Sequence, residues 1–510
     1  MDPKIRNKIK SPETLAKMVA DLKKKGKKIV QCHGVFDIVH PGHLRHFNQA
    51  KKEGDVLVVS LTRDKYVRRG PGRPIFNEHL RAESLASLAV TDFVSIVDAP
   101  TATEFILKVK PDVYVKGMEY KAKENDVTGK IYEEDEAVKS VGGRLAFTDD
   151  ITFSSSSIIN NYLDVYPPRT VKYLKALGKR YTVNSIINSL ESLKKLKVLV
   201  IGDAIIDEYH YCLPMGKSSK SEIVVNKYKS EESFAGGALA TANNVASVCG
   251  DVDLYTVLGA DASCEDFIRG HLSSNIKPKF FCRKGAGTTV KRRYVSIGSN
   301  RKLFEICYMQ DEDIEREGEG EILDHLRKVI DRYDLVVVSD FGHGFLTKKI
   351  IQHVCSKAKH VAINVQTNSA NAGFNLVTKY PRADCVCIDE MELRFAARDK
   401  FGDVRSLSKK IYNEIGCKHI IATRGSEGSI CYSKESGYHE TPAFSYNVVD
   451  PIGAGDAFFA FVAPCYAAGL PQDMVSFIGN AVGSLAVQIV CNREPVSLVD
   501  LIKFITRLLK

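Results

Sequence analysis

The sequence predicts an α/β protein made of two different units, the first built on a parallel sheet. Three observations carry that expectation. Short apolar runs alternate with helix-patterned segments from the N-terminal region onward; the pair Pro167-Pro168 and a polar, helix-prone stretch interrupt the alternation; and a fresh strand pattern, "KVLVIGD", opens at Lys197. A chain of 510 residues is too long for one ordinary core, and no internal repeat relates its halves.

In the first half, "KIVQCHGVFD" reads as a strand ending in Gly-x-Phe-Asp, "HLRHFNQAKKEG" as a helix closed by Gly54, and "DVLVVSLT" as a second strand. "NEHLRAESLASLAV" reads as a helix, "DFVSIVD" as a strand, "TATEFILKVK" as a helix and "PDVYVKG" as a strand. A parallel sheet of this kind binds its ligands at the carboxyl ends of the strands. The seam between Asp164 and Lys195 sets the expected division: a first domain at 1–164, a linker at 165–195 and a second domain at 196–510.

Composition narrows the function classes. Hydrophobic residues at 44% and charged residues at 26% are ordinary globular values. The N-terminus has no apolar signal core and no stretch is apolar enough to span a bilayer, so a cytoplasmic protein with no membrane partner is expected. The 13 cysteines are scattered, apart from Cys385 and Cys387 on an apolar run; an odd number without paired CxxC motifs points to reduced core residues. The dense basic run, Lys23 to Lys28, fits the last turn of a helix capped by Gly26, and a net charge of +10 is modest for this length. No nucleic-acid partner is expected.

The stretch "VFDIVHPGHLRHF" sets His40, His43 and His46 at three-residue intervals. Zinc-binding helices place histidines at i and i+4, which this spacing does not match, and no direct protein ligand to a metal is expected. Pro41 favours the first helical position, so a helix starts inside the motif, directly after a strand. Free N–H groups and the positive end of the helix dipole make that point an anion site. Gly42 lets a phosphate approach the backbone, His40 and His43 are placed to donate to it, and His46, one turn on, reads as a packing residue.

"GVFDIVHPGH" resembles the signature of the HxGH nucleotidyltransferases, with Gly34, Phe36 and Asp37 in the lead-in. The resemblance continues in order through Arg73-Pro74, Arg81, "KPDVYVKGMEY" with Lys116, and "FSSSSII". It implies a Rossmann-like nucleotidyltransferase in which His40 and His43 contact the triphosphate as pyrophosphate leaves. By the same resemblance Lys116, Arg73, Arg81 and Ser154, Ser155, Ser156 and Ser157 surround the phosphates, although either arginine also suits an ion pair.

In the second half, "VVDPIGAGDAFFAFVAPCYAAG" brings Gly453, Ala454 and Gly455 to the start of a long apolar helix, with Asp456 beside them. Backbone N–H groups there form an anion hole, and the carboxylate beside it can accept a hydroxyl proton. The stretch resembles the signature of the ribokinase-like, PfkB-type sugar kinases. "VLVIGDAIIDEY" then supplies Asp203 and Asp207 for the sugar, "FAGGALATANNVA" supplies Gly236 and Gly237, and "ATRGSEG" supplies Thr423, Gly425 and Gly428 for the nucleotide. The resemblance implies an α/β domain with a small β lid, to which "MGKSSKS" is assigned; the first glycine of a P-loop would fall at Tyr211. Departures occur at Asp389, which precedes Glu392 in place of an asparagine, and at Asn364, His343, Ala240 and Pro451.

Together the halves resemble the bifunctional heptose kinase and adenylyltransferase type, with the transferase first instead of the kinase. The resemblance implies phosphorylation of a sugar phosphate, such as heptose 7-phosphate, at its anomeric hydroxyl by ATP and Mg²⁺. Nucleotidyl transfer from ATP or CTP to the sugar 1-phosphate follows, with release of pyrophosphate. A CTP-dependent transferase for an alditol phosphate, or a kinase half kept as a non-catalytic sugar-binding module, are the alternatives. A homodimer paired through the kinase lid is the expected assembly.

Overall fold

The computed structural model describes the chain apart from residues 1, 68–69, 71–72, 118–129, 149–165, 299–300, 446 and 510. Two compact units result, Met1–Pro167 with Thr506–Lys510, and Pro168–Ile505.

The first unit carries β1 (Ile29–Gly34), β2 (Val56–Thr62), β3 (Phe93–Val97), β4 (Val113–Gly117) and β5 (Arg144–Thr148) in a five-stranded sheet of order β3-β2-β1-β4-β5. Every pairing is parallel. β2, "VLVVSLT", is buried along its whole length, as a strand covered on both faces should be. Phe47 and Ala50, from the helix Pro41–Lys51, pack on Leu57, Val59 and Leu61 on one face. Leu15, Val19, Phe105 and Val109 cover the other with Ile29 and Val58. The basic run closes the helix Pro12–Lys24, and Gly26 follows at φ +75°, as the sequence predicts. Strand order reverses at β1, which opens a crevice above the carboxyl ends of β1 and β4.

The second unit begins where a linker is expected. Residues Pro168–Arg180 and Val183–Ser192 form helices, the second capped by the Thr182 hydroxyl, and they bury Leu174, Leu177, Ile186 and Leu190. A nine-stranded sheet follows: β6 (Lys197–Gly202), β9 (Asp251–Gly259), β10 (Ile276–Arg283), β13 (Leu335–Asp340), β14 (Val361–Val365), β15 (Cys385–Asp389), β16 (His419–Thr423), β17 (Ser429–Ser433) and β18 (Gly437–Thr441). Its order is β10-β9-β6-β13-β14-β15-β16-β17-β18, parallel up to β16 and antiparallel beyond. Cys385 and Cys387 are buried on β15. β7 (Ala204–Lys217), β8 (Val224–Gly237), β11 (Thr289–Ser296) and β12 (Lys302–Tyr308) form a separate four-stranded sheet, the expected lid, with Met215, Gly216 and Lys217 at the tip of β7. Among the described residues no helix is long and apolar enough to cross a membrane.

Candidate active sites

In the first unit the chain leaves β1 and enters the helix Pro41–Lys51 with His40 as its N-cap. His40 is buried, and its Nδ1 accepts the Gly42 N–H at 3.2 Å. Accepting there fixes the neutral tautomer that carries its proton on Nε2, and Nε2 is buried without a partner among the described residues. Burial also holds the His40 pKa below its usual value. The result is a neutral donor at the positive end of a helix. The His43 ring lies 3.9 Å from that of His40, centroid to centroid. His46 turns away to Thr148 Oγ1, 2.8 Å from its Nδ1, so the three histidines do not converge. Among the described residues no cluster of three His, Cys, Asp or Glu could hold a metal.

Lys116 stands at the carboxyl end of β4, the strand beside β1 across the crevice. Glu134, from the helix Lys130–Ser140, reaches it at 2.8 Å in a buried ion pair. Burial would raise the Glu134 pKa, but the charges of Lys116 and His33 and the hydrogen bonds from Lys116 and the Ala102 N–H together outweigh it and hold the carboxyl low. Arg73 pairs with Asp37 at 3.2 Å, both side chains buried, and its Nη2 has no partner among the described residues.

Three expectations need correction. Asp37 is turned inward, accepting the N–H groups of Ile75 at 2.7 Å and Phe76 at 3.2 Å, so it pins the loop that carries Arg73. Phe36 packs edge-on against His43 at 5.2 Å and against Phe47 at 5.2 Å, which makes it a buttress of the histidine. Arg81 is fully buried and committed to the carbonyls of Phe76, Val35 and Thr62 and to Asp64, a brace between loops and not a phosphate ligand. Gly34 and Gly42 lie where expected, at the end of β1 and in the first helical turn. Ser154 to Ser157 lie outside the described residues.

In the second unit Gly453, at φ +82°, caps the helix Ala454–Ala467, and a Cβ there would meet Asn492 Oδ1 at 2.0 Å, so only glycine fits. Asp456 sits buried in the first turn and accepts the Gln366 Nε2–H. Burial first, then the charge of Asp207, pushes the Asp456 pKa up to about 7. Asp207 opens the lid strand β7 and is paired with Arg293 of β11. A Cβ on Gly236 would lie 2.1 Å from Asp207 Oδ2, and one on Gly237 2.4 Å from the Asp203 carbonyl oxygen, which explains the glycine pair. Asp203, Asp207, Gly236 and Gly237 therefore meet where the lid joins the main sheet.

The Asp203 carboxylate accepts N–H groups from Phe341 at 2.9 Å and from His343 and Phe345, both at 3.3 Å. Both of its oxygens are thus engaged by the loop after β13. This corrects the expectation that Asp203 is a free sugar ligand. Burial and the charge of Asp340 raise its pKa. Asp389 and Glu392 form a reciprocal capping box at the start of the helix Glu390–Ala397. Glu392 also accepts the Thr367 N–H at 2.9 Å, and burial with the charge of Asp389 raises its pKa. Thr423 pairs with Asp389 across β15 and β16, and Gly425 and Gly428 bracket the turn beyond it. Asp450 ties the lid to the loop before Gly453, accepting from Tyr209 Oη at 2.8 Å, from Lys302 Nζ, and from the N–H groups of Ile452 and Cys491 at 3.1 Å each. Asn364 donates to the Cys387 carbonyl at 2.8 Å, Ala240 lies in the buried helix Ala238–Ala246, and Pro451 precedes the anion-hole turn.

Residues 195–495 match the family described as pfkB family carbohydrate kinase. The chain belongs to that family. Residues 32–161 match the cytidylyltransferase-like family, so the transferase-like part precedes the kinase part, in the order the sequence predicts. Among curated relatives, a bifunctional protein HldE of Aliarcobacter butzleri is 43% identical over 139 residues, 27% of this chain and 29% of the relative. One of Shewanella sediminis is 26% identical over 306 residues, 59% of this chain and 61% of the relative. One of Campylobacter jejuni subsp. jejuni is 27% identical over 308 residues, 58% of this chain and 64% of the relative. The chain thus spans less than two thirds of each of these relatives in any one alignment. Phosphofructokinase-2 from Escherichia coli, solved with substrates and products, aligns at TM-score 0.51 and 13% identity over 62% of this chain and 100% of that chain. Ribokinase from Thermotoga maritima aligns at TM-score 0.50 and 18% identity over 61% and 99%. At these identities the likeness is one of fold.

Several residues of the kinase half and its neighbour have no local signal in sequence. Arg293 is 86 residues from its partner Asp207, and Gln366 is 90 from Asp456. Glu134 lies in a helix of ordinary composition, and only its burial marks it out. Gln366 was within reach, because it stands two positions past Asn364, already noted as a departure.

Proposed function

We propose that the chain is a bifunctional enzyme of nucleotide-sugar synthesis, with a nucleotidyltransferase at 1–164, a connecting segment at 165–195 and a sugar kinase at 196–510. In the kinase half the anomeric hydroxyl of a sugar phosphate, heptose 7-phosphate by the likeness to the HldE relatives, gives its O–H proton to Asp456 as its oxygen attacks the γ-phosphorus of ATP and ADP leaves. The single observation that carries this reading is a buried carboxyl with a pKa near 7, set in the first turn of a helix whose free N–H groups meet the transferring phosphoryl group. A base poised near the working pH gains most from general base catalysis. Gly453, Ala454 and Gly455 stabilise the charge that develops on the phosphoryl oxygens, and the lid, held through Asp450, excludes water.

Mg²⁺ fits as an ion carried by the phosphates of ATP. Glu392 has both oxygens engaged, which leaves the outward-facing Asp389 as the protein's contribution. The ion supplies charge neutralisation on the nucleotide.

In the transferase half the sugar 1-phosphate attacks the α-phosphorus of a nucleoside triphosphate and pyrophosphate leaves. His40 Nε2–H, His43 and the helix start stabilise the departing charge, and Arg73 and Lys116 flank the crevice. ATP is the donor by the same likeness. CTP is the second reading, favoured by the match of residues 32–161 to the cytidylyltransferase-like family. The lid's exposed Met215, Ile223, Tyr228 and Phe304 support pairing of two lids in a homodimer. Pyrophosphate release with ATP or CTP, supplied in turn with heptose 1-phosphate, tests the donor, and ADP release with heptose 7-phosphate tests the kinase.

A further inference from the structure

Lys116 carries its charge on a flexible stem, and an ammonium of that kind serves a phosphate well only where a partner fixes its place. Glu134 is such a partner. Its side chain is 4% exposed and that of Lys116 12%, and Glu134 Oε2 lies 2.8 Å from Lys116 Nζ. The other oxygen, Oε1, accepts the Ala102 N–H at 3.2 Å, at the residue before the helix Thr103–Val109. One carboxylate therefore ties the helix Lys130–Ser140 to a second helix start and to the carboxyl end of β4.

His33 stands on the neighbouring strand. β1 pairs Gln31 with Tyr114 and Cys32 with Val115, so the next residues, His33 and Lys116, come level on one face of the sheet. The imidazole is set from β2, with Ser60 Oγ 2.9 Å from Nδ1 and Thr62 Oγ1 3.2 Å from Nε2. Against the burial of Glu134, the charge of Lys116 and then that of His33 hold its carboxyl low. The second positive group matters when a ligand binds, because phosphates drawing on the Lys116 ammonium would otherwise favour protonation of Glu134 and loosen the pair.

A buried ion pair adds little to stability over apolar groups of the same volume, so its presence beside the crevice calls for another reason. We infer that Glu134 is a positioning residue for nucleotidyl transfer: it holds the Lys116 ammonium at the carboxyl end of β4, where the phosphates of the nucleotide meet it, and touches no substrate itself. This rests on the reading of Lys116 as a phosphate ligand. A residue that acts only through Lys116 has nothing left to contribute once that ammonium is gone.

The test is a double-mutant cycle on the full chain: wild type, Glu134→Gln, Lys116→Met and the two combined. A second cycle uses Glu134→Asp, which keeps the charge and draws it back by one methylene. Pyrophosphate release from heptose 1-phosphate is followed with ATP and CTP in turn, with kcat and KM separated and each variant read well below its melting temperature; ADP release from heptose 7-phosphate should stay intact throughout. Lys116→Met should lower kcat for pyrophosphate release about 100-fold, and Glu134→Gln about tenfold or more with the nucleotide KM changed less than about threefold. Added to Lys116→Met, either Glu134 variant should cost no more than about a further twofold. Losses as large in the Lys116→Met background as in the wild type, or no loss from either Glu134 variant, overturn the positioning role and leave Lys116 standing. Full release by Lys116→Met, or none by the wild type with either nucleotide, overturns the reading of Lys116 and the inference with it.

Discussion

Replacing Gln366 by methionine removes its side-chain hydrogen bond to Asp456 while keeping the volume. That bond favours the ionised carboxylate, so its loss raises a pKa already near 7. A hydrogen bond to a charged group contributes about 1.5–3 kcal/mol, and about 1.4 kcal/mol corresponds to one pKa unit, so an upward shift of about one unit is a conservative figure. With a pKa of about 7, roughly one eleventh of Asp456 is ionised at pH 6; with a pKa of about 8 the share is roughly one hundredth. The kinase kcat/KM of Gln366→Met should therefore fall about tenfold near pH 6 and recover almost fully near pH 9. The assay is ADP release across that range, with Asp456→Asn as the inactive reference. A loss of the same size at every pH, or a midpoint displaced toward acid, would refute Asp456 as the titrating base.

Other outcomes follow from contacts of the same kind. Gly236→Ala puts a methyl group 2.1 Å from Asp207 Oδ2, on a carboxylate that Arg293 holds through its other oxygen, and should raise the KM for the sugar about tenfold or more while sparing that for ATP. His40→Ala should abolish pyrophosphate release and leave ADP release intact, whereas His46→Ala, which loses the bond to Thr148, should keep most of both. Glu134→Gln removes the carboxylate charge that pairs with the buried Lys116, and should destabilise the first unit by about 3 kcal/mol, read by denaturant unfolding. Lys302→Met cuts one of the lid's two side-chain ties to Asp450 and should raise ATP hydrolysis in the absence of sugar, measured as uncoupled ADP formation.

Features set by local rules were legible from the chain. Pro41 and His40 mark a helix start after a strand, Gly453 to Asp456 mark another, and the glycine pair Gly236-Gly237 marks a close approach; each obeys a rule spanning a few residues. The lid was legible only through the family resemblance: short turns join β7 to β8 and β11 to β12, but the pairing of β11 with β7 unites strands that main-sheet elements separate along the chain. Arg81 was misread for a physical reason. An arginine after a phosphate-type loop can serve a ligand or brace the loop, and only the burial of its guanidinium among backbone carbonyls decides between them. Asp203 was misread likewise, since sequence does not reveal that three backbone N–H groups from the loop after β13 converge on it. His343 was visible in sequence as a departure, but its burial with both ring nitrogens unpartnered among the described residues shows only in the structure.

The central claim is two separate phosphoryl-transfer sites in one chain. The most direct test follows ADP and pyrophosphate release together, with ATP and heptose 7-phosphate or heptose 1-phosphate, in wild type, Asp456→Asn and His40→Ala. Asp456→Asn should lose ADP release from the 7-phosphate and keep pyrophosphate release from the 1-phosphate, and His40→Ala should do the reverse. Loss of both activities in either correctly folded variant, or of neither in both, would contradict the account.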